Sequence, residues 1–183
     1  KHERIRAANR FLLFACYGPW EATWRHRGLE RLLMDVVLSP DWVREMAETY
    51  LALVLATLRH CLGLGLKPDG MFIVEDLGSG FGPLMSPKSW RRIFKPLLGQ
   101  LGEFLRAQGI AFWLHSDGNI LPILDLLVDC GFDGLNPVEY RAGLDVVQLR
   151  EKYPKLALLG GLDNIHILRH GSPEEIRAHT RHV

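Results

Sequence analysis

Five short apolar runs punctuate the chain, and each closes on small or acidic residues. They are Phe11–Cys16 before Tyr17-Gly18-Pro19, Met71–Val74 before Glu75-Asp76-Leu77-Gly78, Ile110–Leu114 before His115-Ser116-Asp117-Gly118, Phe132–Leu135 before Asn136-Pro137-Val138-Glu139, and Leu156–Leu159 before Gly160-Gly161-Leu162-Asp163-Asn164. Continuous rather than alternating apolar character predicts strands buried on both faces, the condition of a parallel sheet. Segments of helical period lie between them. Asp41–Leu62 places Val43, Met46, Ala47, Tyr50, Leu51, Val54, Leu55 and Leu58 on one stripe, and Ser86–Ala107 follows the same plan with a kink expected at Pro96. Ser39-Pro40, Ser86-Pro87 and Ser172-Pro173 mark helix starts. There a serine hydroxyl accepts from an orphan N–H, and a proline at the first position forfeits no bond.

Strand then helix, repeated along the chain, predicts an α/β domain, built either as an open doubly wound sheet or as a barrel. No GxGxxG or GxxxxGK[ST] follows any strand, so the nucleotide-binding open sheets lose their usual support. The expectation is a partial (β/α)8 TIM barrel of about five parallel strands with intervening helices, since a whole barrel takes about 250 residues. A single domain over 1–183, incomplete at both ends, follows from that count.

Composition narrows the partners. The 183 residues are 48% hydrophobic and 23% charged, with a formal net charge of +1, which suits a folded domain and excludes a disordered one. Without a bulk basic field, nucleic acid is not an expected partner. The longest apolar stretch, Tyr50–Leu58, is too short to span a bilayer, and the charged N-terminus shows no signal-type cleavage pattern. Cys16, Cys61 and Cys130 form no CxxC pair and no even count. They read as buried thiols of a reducing compartment, with a cytoplasmic location expected.

Reactive residues of parallel α/β proteins sit at the carboxyl ends of strands. Here those positions hold Glu75, Asp76, His115, Ser116, Asp117, Asn136, Glu139, Asp163 and Asn164. Crowded carboxylates repel one another, which raises some pKa values and invites a proton or a cation. His115 and Asp117, two apart at a strand end, point to the same side and can converge on one metal ion or substrate group, although a histidine ring bonded to a nearby carboxylate is the simpler use. Glu75 and Asp76 are adjacent, so only one faces the pocket. Asp163-Asn164 either binds a polar group or caps the next helix. His166 and His170 read as a surface pair, and Trp20 with Trp24 as a packing pair.

Longer stretches carry a resemblance. Glu75-Asp76-Leu77-Gly78 followed by Ser86-Pro87-Lys88-Ser89-Trp90-Arg91-Arg92-Ile93-Phe94-Lys95-Pro96, then His115-Ser116-Asp117-Gly118-Asn119, then Gly160-Gly161-Leu162-Asp163-Asn164 with Gly171-Ser172-Pro173-Glu174-Glu175-Ile176, resembles the uroporphyrinogen decarboxylase family. The resemblance implies a (β/α)8 barrel of which this chain covers strands three to seven. It also implies one of two enzymes: a corrinoid-linked methyltransferase acting on a small O- or N-methylated substrate, or a uroporphyrinogen decarboxylase yielding coproporphyrinogen III in porphyrin biosynthesis.

For the methyltransferase, Glu75 or Asp76 is the expected proton source and His115 with Asp117 the polarising, metal-holding pair. Asn136, Glu139 and Asp163 are expected substrate contacts, and a corrinoid protein the partner. The family's methyltransferase branch carries a cysteine where this chain has Asp117, so a divalent metal is expected with zinc disfavoured by the missing thiolate. The decarboxylase needs no cofactor, but its multiply anionic substrate calls for cations where these strand ends are acidic. A third class is a non-catalytic barrel fragment, whose open sheet edges bind a partner or a second copy.

Overall fold

In the computed structural model, which describes residues 2–183, the apolar runs become β1 (Leu13–Tyr17), β2 (Gly70–Val74), β3 (Ala111–His115), β4 (Gly134–Val138) and β5 (Ala157–Gly160). All are parallel and hydrogen-bonded in chain order, which leaves β1 and β5 as edges. Helices α1 (His2–Ala7), α2 (Pro19–Arg27), α3 (Leu29–Leu38), α4 (Pro40–Gly63), α5 (Pro87–Ile93), α6 (Lys95–Ala107), α7 (Leu121–Asp129), α8 (Val146–Lys152), α9 (Ile167–His170) and α10 (Pro173–His182) fill the connections. This is the α/β architecture of a partial (β/α)8 barrel. Among the described residues no helix is long and apolar enough to cross a membrane.

Helices cover one face of the sheet. Met71, Ile73, Phe112, Leu114 and Leu135 point into that core and are buried. On the opposite face Leu13 and Tyr17 are exposed and Phe72, Val74, Trp113 and His115 half-buried. The sequence pattern predicted burial on both sides; five strands that do not close into a ring leave the inner side partly open to water. At β4 the ladder to β5 shifts register between Leu135 and Val138, because Pro137 brings no N–H to a regular ladder.

The long helix runs as its stripe demands, with Val43, Ala47, Leu51, Val54, Leu55 and Leu58 buried and Met46 and Tyr50 half-buried. The expected kink divides one predicted helix into α5 and α6 at Phe94, with Pro96 in the first turn of α6. Ser86 and Ser172 accept from the N–H of Ser89 and Glu175, the latter in a reciprocal capping box. Ser39 precedes Pro40 but makes no such bond. Trp20 and Trp24 do not pair: Trp20 meets Phe94 edge-on at 5.6 Å, while the Trp24 indole turns towards Glu21. One helix crossing is tight enough to test. A Cβ on Gly102 would lie 1.9 Å from the Cys130 carbonyl oxygen, so Gly102→Ala should cost about 1–3 kcal/mol by overpacking, read from the urea midpoint at unchanged slope.

Candidate functional site

Strand pleating decides which polar side chains meet. Val74 pairs with His115, and His115 with Asn136, in one row across the sheet. Same-face alternation then carries Asp76 and Asp117 to the inner side just beyond it. One ligand atom from each of Asp76, His115 and Asp117 lies within 4.8 Å of the other two. His115 Nε2 is 3.7 Å from Asp76 Oδ1 and 3.9 Å from Asp117 Oδ2. Those gaps exceed a hydrogen bond, yet come near the roughly 3.4 Å that separates ligands around a tetrahedral ion with bonds of about 2.1 Å.

Neighbouring groups aim the cluster. His115 Nδ1 bonds Asn136 Oδ1 at 2.9 Å, which orients the ring and turns Nε2 towards the carboxylates, the nitrogen that would meet a metal ion. The Asp117 N–H donates to Asp76 Oδ1 at 3.2 Å, and the Gly118 N–H to Glu139 Oε2 at 2.7 Å. Gly118 has φ +81°, and a Cβ there would lie 2.4 Å from the Gly78 carbonyl carbon. Two glycines therefore let the loops after β2 and β3 touch backbone to backbone. Burial pushes the Asp117 carboxyl up, the charges of Asp76 and Glu139 add to that, and His115 opposes it.

The structure thus gathers Asp76, His115 and Asp117, with Asn136 bonded to His115 and Glu139 to the neighbouring Gly118 N–H. Glu75 stands apart. It points to the helix side of β2, is 0% exposed, and accepts from the N–H groups of Trp20 (3.2 Å) and Glu21 (2.7 Å) at the start of α2. Burial pushes its carboxyl up to about 8, the charges of Glu21 and Asp76 adding to the rise and the two backbone bonds opposing it. Of the two carboxyls expected as proton source, Glu75 or Asp76, it is the one turned away from the cluster, and it fastens the start of α2.

Asp163 also lies outside the cluster. Its carboxylate accepts from the N–H of Ile165 and His166, and its own N–H donates to His179 Nε2 at 2.8 Å. These bonds close a turn ahead of α9, whose own N-cap, His166, makes no side-chain bond. Asn164, His166 and His170 are exposed. Ser116 is buried and accepts from the Leu77 N–H. The cysteines are free, Cys130 buried and Cys16 and Cys61 half-buried; burial pushes the Cys16 and Cys130 thiols up to about 12.

Glu21 was not anticipated. It is fully buried and accepts from the Trp24 indole, the Arg25 guanidinium and the Asp76 N–H. Its only trace in the sequence is its place two residues after Gly18-Pro19, a helix start that the apolar pattern does not mark.

The fold is similar to that of a methyltransferase from Methanosarcina mazei, with a TM-score of 0.61 and 17% identity over 98% of this chain. The chain spans 62% of that protein's length. No curated protein matches it. The model of the uroporphyrinogen decarboxylase (URO-D) family matches residues 8–183, and the chain belongs to that family.

Proposed function

We propose that the chain forms the catalytic face of a corrinoid-linked methyltransferase acting on a small O- or N-methylated substrate, with a divalent metal held by Asp76, His115 and Asp117. The observation that carries it is the convergence of those three side chains at adjacent strand ends, with Nε2 of His115 turned towards two carboxylates. The donor set suits a divalent cation: one imidazole and two hard oxygens, with no thiolate to favour soft-metal thiol chemistry. The fold likeness to a methyltransferase points the same way.

When bound, the cation supplies charge that polarises the donor's oxygen or nitrogen, and a partner's reduced corrinoid supplies the nucleophile for the methyl group. Asn136 orients the His115 ring. Glu139, fixed by the Gly118 N–H, sets a second negative charge beside the loop that presents Asp117. Together these carboxylates favour neutral or cationic methyl donors over a polyanionic tetrapyrrole, which weighs against the decarboxylase reaction for which the family is named. Free thiols of raised pKa suit a cytoplasmic protein.

The test is direct. The full-length protein, loaded with a divalent metal and mixed with reduced corrinoid and a panel of O- and N-methyl compounds, should form methylcobalamin, followed by absorbance. Conversion of uroporphyrinogen to coproporphyrinogen, with no methyl transfer, would overturn the proposal.

A further inference from the structure

The β2–β3 ladder ends where the Glu75 N–H donates to the His115 carbonyl at 2.8 Å. Asp76 lies one residue beyond, so its own N–H and C=O have no strand to pair with and need partners from elsewhere. Both come from the first turn of α2. The Trp20 indole N–H donates to the Asp76 carbonyl at 2.9 Å. Glu21 Oε2 accepts from the Asp76 N–H at 3.3 Å. Trp20 and Glu21 are each 0% exposed.

We propose that Glu21 and Trp20 are positioning residues, which grip the main chain of Asp76 at both ends and thereby aim its carboxylate at His115 and Asp117. The inference rests on the metal site proposed above and adds what holds it. Packing alone does not explain Glu21, since burying a carboxylate costs far more than burying an apolar side chain of the same size. Here its oxygens are fully spent. Oε1 receives the Arg25 guanidinium at 2.6–2.7 Å, and Oε2 receives the Trp24 indole at 2.8 Å together with Asp76. Arg25 is itself held over the rings of Tyr17 and Trp24, 4.4 and 4.6 Å from their centres, so the carboxylate cannot swing. In return Glu75 accepts from the N–H groups of Trp20 and Glu21. A Cβ on Gly18 would fall 2.1 Å from the Glu75 carboxyl carbon, so only glycine lets helix and strand end interlock this closely.

Glu21→Gln separates grip from bulk. The amide oxygen is drawn to Arg25, which leaves the NH2 facing the N–H of Asp76, donor against donor. Adding Arg25→Leu frees the amide to turn, so that its oxygen again accepts from Asp76. In the metal-free full-length protein, Glu21→Gln should speed amide exchange at Asp76 while leaving Val74 protected. With Co2+ as the probe it should weaken binding about tenfold and shift the visible absorption bands of the bound ion. Glu21→Gln/Arg25→Leu should recover both. Unchanged exchange at Asp76 in Glu21→Gln overturns the inference, as does a released amide with unaltered Co2+ affinity and spectrum. Failure of the wild-type protein to take up Co2+ overturns the metal assignment instead, and the exchange measurement then decides the grip by itself.

Discussion

His115→Ala should abolish stoichiometric divalent-cation binding by the full-length protein and with it any methyl transfer, while leaving the fold intact. Losing a partner that merely supports a ligand costs about 10–100-fold in metal affinity, and losing a ligand costs more. Without the imidazole only Asp76 and Asp117 remain, two carboxylates that repel each other and, with no neutral donor between them, hold an ion no better than a solvated acidic edge. The fold survives because His115 lies on the half-buried inner face, outside the packed core that faces the helices. Metal content after dialysis, measured by elemental analysis beside a thermal melt, checks both halves. Equal metal in wild-type and variant protein removes the site. Asp117→Cys sharpens the point: replacing a hard oxygen with a thiolate should raise the preference for zinc over manganese, because ligand softness rather than cavity shape then governs the choice.

Local chemistry made much of this site legible before any coordinates. Alternation along a strand is a property of the backbone, so the residues two apart, His115 and Asp117, had to share a side, and Glu75 and Asp76 had to part. Which of the latter two faced the mouth was not legible, since the answer depends on which face of β2 the helices cover. Apolar runs located all five strands, but β4 reached through Asn136-Pro137-Val138, a stretch whose proline and polar residue imitate a loop. The helices α2 and α3 escaped the pattern for different reasons. Pro19–Arg27 buries Glu21 and Thr23 beside Trp20 and Ala22, so its inward face is half polar and gives no apolar stripe. Leu29–Leu38 buries only Leu32 and Val36 while Met34, Val37 and Leu38 stay exposed, so its apolar residues do not trace its contacts. Asp163 was read two ways because an Asx cap and a ligand-binding carboxylate have the same local spelling; only the position of the Ile165 and His166 N–H groups separates them.

The wild-type protein should lose stability as pH rises between about 4.5 and 8, and Glu75→Gln should flatten that dependence. Burial drives the shift, aided by the nearby charges of Glu21 and Asp76, and the two N–H groups of α2 only partly offset it. In the unfolded chain Glu75 releases its proton near 4.5; in the folded protein it keeps it to about 8. Within that window the folded state binds more protons than the unfolded state, so stability falls as pH rises. The contribution is fully present below the unfolded value and lost once pH passes the folded one. At roughly 1.4 kcal/mol for each unit of pKa difference, the loss across the window amounts to several kcal/mol. Glutamine copies the protonated acid in shape and keeps a carbonyl oxygen for the Glu21 N–H, but it has no proton to lose. Urea unfolding of metal-free protein should therefore find the two proteins alike near pH 4 and the variant more stable at pH 8.5. Every other titrating group contributes to both proteins, so the difference between the two profiles isolates this one carboxyl. Parallel profiles would mean that Glu75 is charged in the folded state, with the bonds from Trp20 and Glu21 outweighing its burial. That would put a further negative charge on the helix side of Asp76, behind the inner cluster.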